Sequence, residues 1–197
     1  LMKKQSKKIL ITGGAGYIGQ NLVSFFLKDN WKIYVIDNLS TSKPINQSIK
    51  KKISFYKIDL TKEKKVKNFF EKKNFDLVIH LAAFSGIGEF KKNVLRSFNN
   101  NVLATRNLVN HAFAQRKTRL IFASSAAVYG ETTKEKISEK FICKPINYYG
   151  LSKLACENII KYEFERKKNN YAILRYFNVV GSIVDFPIKK KINSLFD

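Results

Sequence analysis

Lys8-Ile9-Leu10-Ile11-Thr12-Gly13-Gly14-Ala15-Gly16-Tyr17-Ile18-Gly19 decides how the rest of the chain is read. The apolar run Ile9–Ile11 predicts a buried parallel strand. It breaks into glycines and then into a helical pattern of Tyr17, Ile18, Leu22, Val23, Phe26 and Leu27. Strand, glycine turn and helix together form a phosphate-binding element. Glycine tolerates the tight turn, lets backbone approach a pyrophosphate and allows helix and strand to pack closely. The helix N-terminus offers N–H groups and the positive end of its dipole.

The glycines read as Gly14-x-Gly16-x-x-Gly19 or as Gly13-x-x-Gly16-x-x-Gly19. Either pattern is weak by itself, and its context supplies the weight. Ile33–Ile36 predicts a second strand closed by Asp37, about 20 residues past the glycines. An acid there accepts hydrogen bonds from an adenosine ribose and repels a 2′-phosphate, which favours NAD over NADP.

Working outward, Ile53–Ile58 predicts a third strand, closed by Asp59-Leu60. Asp59 either faces an adenine or caps the helix that follows, whose apolar face is Val66, Phe69 and Phe70. Phe75–Leu81 is the fourth strand, running into Ala82-Ala83-Phe84-Ser85-Gly86. Small residues at such a strand end let a flat ligand lie against backbone. A helix over about Val94–Gln115 carries Asn99-Asn100-Asn101, poor helix formers, at least one of which is expected to make a specific hydrogen bond. His111 is expected to pack deep in this helix. Arg119–Phe122 opens the fifth strand, which ends Ser124-Ser125-Ala126-Ala127. A helix over about Tyr148–Lys168 leads to a sixth strand, Tyr171–Tyr176. Six strands alternating with helices predict an α/β, Rossmann-like, doubly wound parallel sheet in the order 3-2-1-4-5-6.

Composition narrows the partners. At 197 residues and 45% apolar, the chain is long enough to bury one large domain. No apolar run approaches the length of a membrane span and no secretory signal precedes the first strand. Cys143 and Cys156 are too few and too isolated for a disulfide framework or a metal site, so no metal and a reducing cytoplasm are expected. The net charge of +22 is carried almost wholly by lysine, with six arginines, and is scattered along exposed helical positions. No specific nucleic-acid partner is expected from it, and no membrane. An anionic substrate is favoured.

The chemistry centres on Ser125 with Tyr149-Gly150-Leu151-Ser152-Lys153. Tyr149 and Lys153, four apart on one helix, share a face with Cβ atoms about 5–6 Å apart. A free phenol titrates at about 10. The Lys153 ammonium and a positive nicotinamide ring are both expected to lower it. Tyr149 can then take a hydroxyl proton while the hydride leaves the same carbon, with Ser125 hydrogen-bonding the reacting oxygen.

Gly13-x-x-Gly16-x-x-Gly19, Asp37-Asn38-Leu39, Ser124-Ser125, Tyr149-x-x-x-Lys153 and Arg175-Tyr176-Phe177-Asn178 resemble the extended short-chain dehydrogenase/reductase family, in its NAD-dependent epimerase/dehydratase branch. The resemblance implies NAD-dependent 4-epimerisation of a UDP-hexose of the UDP-glucose/UDP-galactose type, through a transient 4-keto sugar. A nucleotide-sugar reductase or dehydrogenase, and an NAD-binding chain without catalysis, are the alternatives. It also implies that Tyr17, Ile18, Asp37, Asn38, Leu39, Ser40, Thr41, Ser42, Asp59 and Leu60 contact NAD. The same holds for Leu81, Ala82, Ala83, Phe84, Ser85, Asn100, Tyr149, Lys153 and Phe177. Asn178, with Ser125 and Tyr149, would reach the UDP-sugar. Related 4,6-dehydratases carry an Asp-Glu pair after the Ser/Thr, to move the protons of water elimination. Ala126 and Ala127 stand there, which disfavours dehydration. Two departures touch the geometry: Ser85 replaces the lysine of many epimerases, and Val179 replaces the usual proline.

The family is much longer than this chain. Residues 1–181 are therefore expected to be the NAD-binding domain, and 182–197 an irregular tail or the start of a substrate lobe that is mostly missing. A full-length protein is expected to be a homodimer, and the shorter chain to bind NAD with little turnover.

Overall fold

The computed structural model describes residues 6–85, 93–113, 118–132 and 136–181. The tail read above over 182–197, Gly86 and the Gln115 end of the helix read from Val94 lie outside the described residues. Six parallel strands form one sheet in the order β3-β2-β1-β4-β5-β6. They are β1 (Lys7–Thr12), β2 (Trp31–Asp37), β3 (Ser54–Lys57), β4 (Leu77–His80), β5 (Arg119–Ser125) and β6 (Tyr171–Tyr176). The helices are α1 (Tyr17–Phe26), the short α2 (Gln47–Lys50), α3 (Glu63–Glu71), α4 (Val94–Ala112) and α5 (Tyr148–Lys167). A 3-10 turn, Ala126–Val128, follows β5. The order matches the sequence expectation, and α2 is an addition to it, capped by Asn46, whose side chain accepts from the Ser48 N–H at 2.9 Å.

Alternation along the strands supplies two cores. Leu10, Val78, Leu120 and Phe122 face α3, α4 and α5, where Val66, Phe69, Leu108, Ile160 and Phe164 meet them. Ile9, Ile11, Val35 and Ile79 face the other side with Val23 of α1. The two sets on β1 are one residue apart, so a slip of one position would exchange every side chain between faces. Side-chain caps start α4 and α5: Asn93 accepts from Arg96 N–H at 2.9 Å, and Asn147 from Gly150 N–H at 2.8 Å. The second cap fixes the first turn of α5, where Tyr149 sits.

His111 does not pack deep. Its side chain is about one-fifth exposed and its Nε2 lies 3.3 Å from Glu63 Oε1, linking α4 to α3. An α-helix that covers a sheet keeps one face wet, and His111 falls at its edge.

A buried ion network ties α5 to β6. Glu157, with no solvent exposure, accepts from Arg175 Nη2 at 2.8 Å, Arg175 Nε at 3.0 Å and Ser124 Oγ at 2.6 Å. Burial alone would raise the Glu157 carboxyl. The hydrogen bonds from Arg175 and Ser124, with the charges of Arg175 and Lys161, bring it below the usual carboxylate value instead.

Candidate functional site

The C-terminal ends of the strands open on a cavity of about 350 Å³. Its floor is the glycine turn. Gly13 has φ +68, and a Cβ there would stand 2.7 Å from Ala82 N; a Cβ on Gly19 would collide with the Gly13 carbonyl oxygen. Both positions need glycine, and together they bring backbone to the cavity surface. Helix α1 starts at Gly16, in extended backbone (φ −73, ψ 174), with no side-chain cap and no acid in its first turn. Its positive end is left for an anion.

Asp37, at the end of β2, is buried against this turn. Its Oδ2 accepts from Ala15 N–H at 3.0 Å and its Oδ1 from Leu39 N–H at 2.8 Å. A carboxylate offers about four acceptor positions, so capacity remains for ribose hydroxyls on the cavity side. With the glycine cradle and the uncapped helix end, these residues fit a dinucleotide such as NAD.

The structure gathers most of the residues singled out by sequence. Gly13, Gly16, Tyr17, Ile18, Gly19, Asp37, Asn38, Ser40, Thr41 and Ser42 line one end of the cavity wall. Asp59 and Leu60 line it beside Ile58, while Leu81–Ser85, Asn100, Ser125, Tyr149, Lys153 and Phe177 complete it. Asp59 lines the cavity and does not cap α3: its Oδ1 accepts from Thr61 N–H at 2.9 Å and Thr61 Oγ1 at 2.8 Å, and the N-cap of α3 is Lys62, with no side-chain cap. Helix α3 itself begins at Glu63.

Two residues fall elsewhere. Leu39 does not line the cavity: it adopts φ 59, and its side chain packs against the Ile9–Ile11 core. Only its N–H serves the site, by holding Asp37. Asn178 is exposed beyond β6 and outside the lining, whereas Val179, two residues past Tyr176, is part of it.

At the reacting end, Ser125 hydrogen-bonds Tyr149, and its Oγ accepts from Ala127 N–H at 3.2 Å. Its neighbour Ser124 is committed to Glu157. Lys153 is buried, donates from Nζ to the Ala123 carbonyl at 2.8 Å and stands 5.8 Å from the centre of the Tyr149 ring. Burial lowers its ammonium to about 8, against the pull of Cys156 and Glu157. The phenol corrects the sequence expectation. Burial pushes Tyr149 above its ordinary value and outweighs the Ser125 hydrogen bond, which lowers it. The ammonium is held by a carbonyl rather than by the phenol, so the depression expected from Lys153 is not realised by the protein's own charges.

Below the cavity runs a buried polar chain that sequence reading did not foresee. Ala82 N–H donates to Thr12 Oγ1 at 3.3 Å, and Thr12 Oγ1 lies 2.7 Å from His80 Nδ1. His80 Nε2 lies 3.0 Å from Thr105 Oγ1, which donates to the Asn101 carbonyl at 2.9 Å. Thr105 has one hydroxyl proton and spends it on Asn101, so it accepts from His80 Nε2–H; Nδ1 then accepts from Thr12. The chain is satisfied by neutral imidazole. Burial, then the Lys153 charge, lowers His80 from 6.5 to about 3. Between those two pH values the unfolded chain binds a proton that the native chain refuses. Stability is therefore expected to fall as pH falls through this window, by up to about 1.4 kcal/mol per pH unit from this group. Urea midpoints measured across the window should show a flatter acid limb for His80→Gln. An unchanged slope would contradict the assignment.

The model of the NAD dependent epimerase/dehydratase family matches residues 9–195. The chain belongs to this family. Among its relatives, UDP-glucose 4-epimerase of Dictyostelium discoideum is 36% identical over 187 residues, covering 92% of this chain and 54% of that protein. The solved UDP-Glc/GlcNAc 4-epimerase of Campylobacter jejuni superposes with a TM-score of 0.83 at 36% identity, covering 94% of this chain and 58% of that one. UDP-glucose 4-epimerase of Brucella ovis, solved in complex with NAD, superposes with a TM-score of 0.81 at 32% identity, over 90% of this chain and 54% of that one. The chain spans about half the length of these relatives. Among the described residues no helix is long and apolar enough to cross a membrane, and no acid, His or Cys cluster could hold a metal ion.

Proposed function

We propose that this chain is the NAD-binding and proton-transferring part of a UDP-hexose 4-epimerase. The observation that carries the reading is Tyr149 hydrogen-bonded to Ser125 in the cavity wall, with only the methyl groups of Ala126 and Ala127 following Ser125. Bound NAD supplies a reversible hydride acceptor for C4 of the sugar. Ser125 orients the C4 oxygen. Tyr149 Oη takes the hydroxyl proton as the sugar is oxidised, and returns it after the 4-keto sugar has turned over. Lys153, fixed by the Ala123 carbonyl, keeps a positive charge beneath the cavity at neutral pH. Ala126 and Ala127 cannot move the protons of a dehydration. Incubation of the full-length protein with UDP-galactose should yield UDP-glucose without added NADH, while the shorter chain is expected to bind NAD with little turnover. A requirement for NADH would favour a reductase, and NAD binding with no turnover of any UDP-sugar would favour a binding role alone.

The reading extends to galactose metabolism in a reducing cytoplasm, which the two free cysteines suit, and to a homodimer of the full-length protein. Residues 1–181 act in it as the cofactor domain. NAD is expected to bind more tightly than NADP, because a 2′-phosphate would meet the Asp37 carboxylate. Calorimetric titration of both cofactors checks this. Asp37→Ala should narrow the preference, and equal affinities in the unsubstituted protein would refute the assignment.

A further inference from the structure

The first turn of α5 rests on the 3-10 turn that follows β5, and the contact leaves no room for a side chain. A Cβ on Gly150 would collide with the Ala127 carbonyl oxygen and stand 2.9 Å from the Ala127 carbonyl carbon and 3.0 Å from the Pro145 Cβ. Gly150 lies inside α5 and has no positive φ, so the position calls for glycine through space and not through backbone conformation. Alanine would be the better helix former there. Ala127 is held on both of its polar groups. Its carbonyl accepts from Gly130 N–H at 3.4 Å and its N–H donates to Ser125 Oγ at 3.2 Å. From the other side, Asn147 Oδ1 accepts from Gly150 N–H at 2.8 Å. Ser125, Ala127, Gly150 and Tyr149 thus form a closed ring of contacts, completed by the hydrogen bond between Ser125 and Tyr149.

We propose that Gly150 is a positioning residue: its missing side chain lets the first turn of α5 rest on the Ala127 carbonyl, and that contact holds the Tyr149 phenol on Ser125. This role rests on the reading of Tyr149 as the proton-transferring group. Glycine at a close helix contact is ordinarily a packing device. What distinguishes Gly150 is that the turn beneath it starts at Ser125 and the residue before it is Tyr149, so the contact fixes the distance between the two hydroxyls of the reacting end. A methyl group there would have to drive the two backbones apart by more than about half an ångström to restore a carbon–carbon separation of about 3.5 Å.

The test follows the ionisation of Tyr149 itself. Phenolate absorbance is measured against pH for the chain and its variants, each referred to the same protein carrying Tyr149→Phe. Ser125→Ala removes the hydrogen bond directly and is expected to raise the Tyr149 midpoint, because that bond lowers it. Gly150→Ala is expected to raise the midpoint too, and to add nothing in a protein already carrying Ser125→Ala, since both changes act through one bond. Ile160→Ala is the control: Ile160 is a wholly buried core residue of α5 beyond the first turn. It should lower thermal stability and leave the midpoint in place. Asn147→Ala releases the same turn of α5 from its exposed cap without adding an atom, and decides the matter by the same upward shift if Gly150→Ala does not fold. A midpoint unmoved or lowered in the deciding variant, an equal shift in the Ser125→Ala background, or one matched by Ile160→Ala would overturn the proposal. The titration needs neither cofactor nor substrate. Failure of the epimerase reading would show instead as absent UDP-galactose turnover by the full-length protein, with the titration result standing.

Discussion

Replacing Tyr149 by Phe is expected to lower UDP-sugar interconversion by about 10²–10⁴-fold, the range of a positioned general acid–base group. NAD affinity should be retained, since the ring that lines the cavity stays and only the hydroxyl is lost. The size of the effect follows from the surroundings. Ser125 can orient an oxygen but is a far weaker base, and Lys153 Nζ is engaged with the Ala123 carbonyl at 2.8 Å. No other proton carrier replaces the phenol among Ala126, Ala127 and the small residues at the end of β4. Because burial holds the phenol above its ordinary value, the protein alone keeps it protonated at neutral pH. The positive charge that favours phenolate has to come with the bound cofactor, which couples proton removal to occupancy of the cavity. The measurement is turnover of UDP-galactose by an epimerising preparation, alongside NAD titration of both proteins. A Phe variant that turned over at the unsubstituted rate would refute the mechanism.

The second large effect is on stability. Arg175→Leu leaves the Glu157 carboxylate inside the protein with Ser124 and Lys161 as its remaining side-chain partners. Breaking a buried pair on one side costs about 3–5 kcal/mol, which for a chain of this size is a fall in Tm of roughly 10 °C. The guanidinium also donates to Tyr129 Oη at 3.0 Å and to the Glu139 carbonyl at 3.1 Å, so its loss loosens the segment after β5 as well. The pH dependence identifies the cause. The intact pair depresses the Glu157 carboxyl, so its stabilisation is present above the unfolded value of about 4.3 and is lost as pH falls below it. Without Arg175, burial instead raises that carboxyl, which neutralises as the solution is acidified. The deficit of Arg175→Leu should therefore shrink between pH 7 and pH 5. The double variant Glu157→Leu/Arg175→Leu should recover much of the loss, since apolar replacement of both partners removes the stranded charge. A deficit constant with pH, or a double variant no better than the single, would exclude the buried carboxylate as its source.

The sequence alone determined the element order, the parallel sheet and the strand ends on which the cavity is built. These properties are local. Hydrophobic period, glycine spacing and the acid closing β2 are each read within a short window, and right-handed crossovers then leave one strand order. Helical phase could also have separated the three asparagines: Asn101 lies three, four and seven residues before the buried Ala104, Thr105 and Leu108, and so shares their face. Tertiary structure decided what the windows do not contain. Asn101 meets Ser152 across 51 residues and Thr12 meets His80 across 68, contacts that exist only once the sheet has closed. It also decided that Ser124 serves Glu157 while Ser125 serves Tyr149, and that Leu39 turns into the core. The protonation of the site was settled there too. Spacing placed Lys153 one helical turn from Tyr149, but its ammonium is spent on a carbonyl and burial raises the phenol, because desolvation depends on the whole surrounding volume and not on neighbours along the helix.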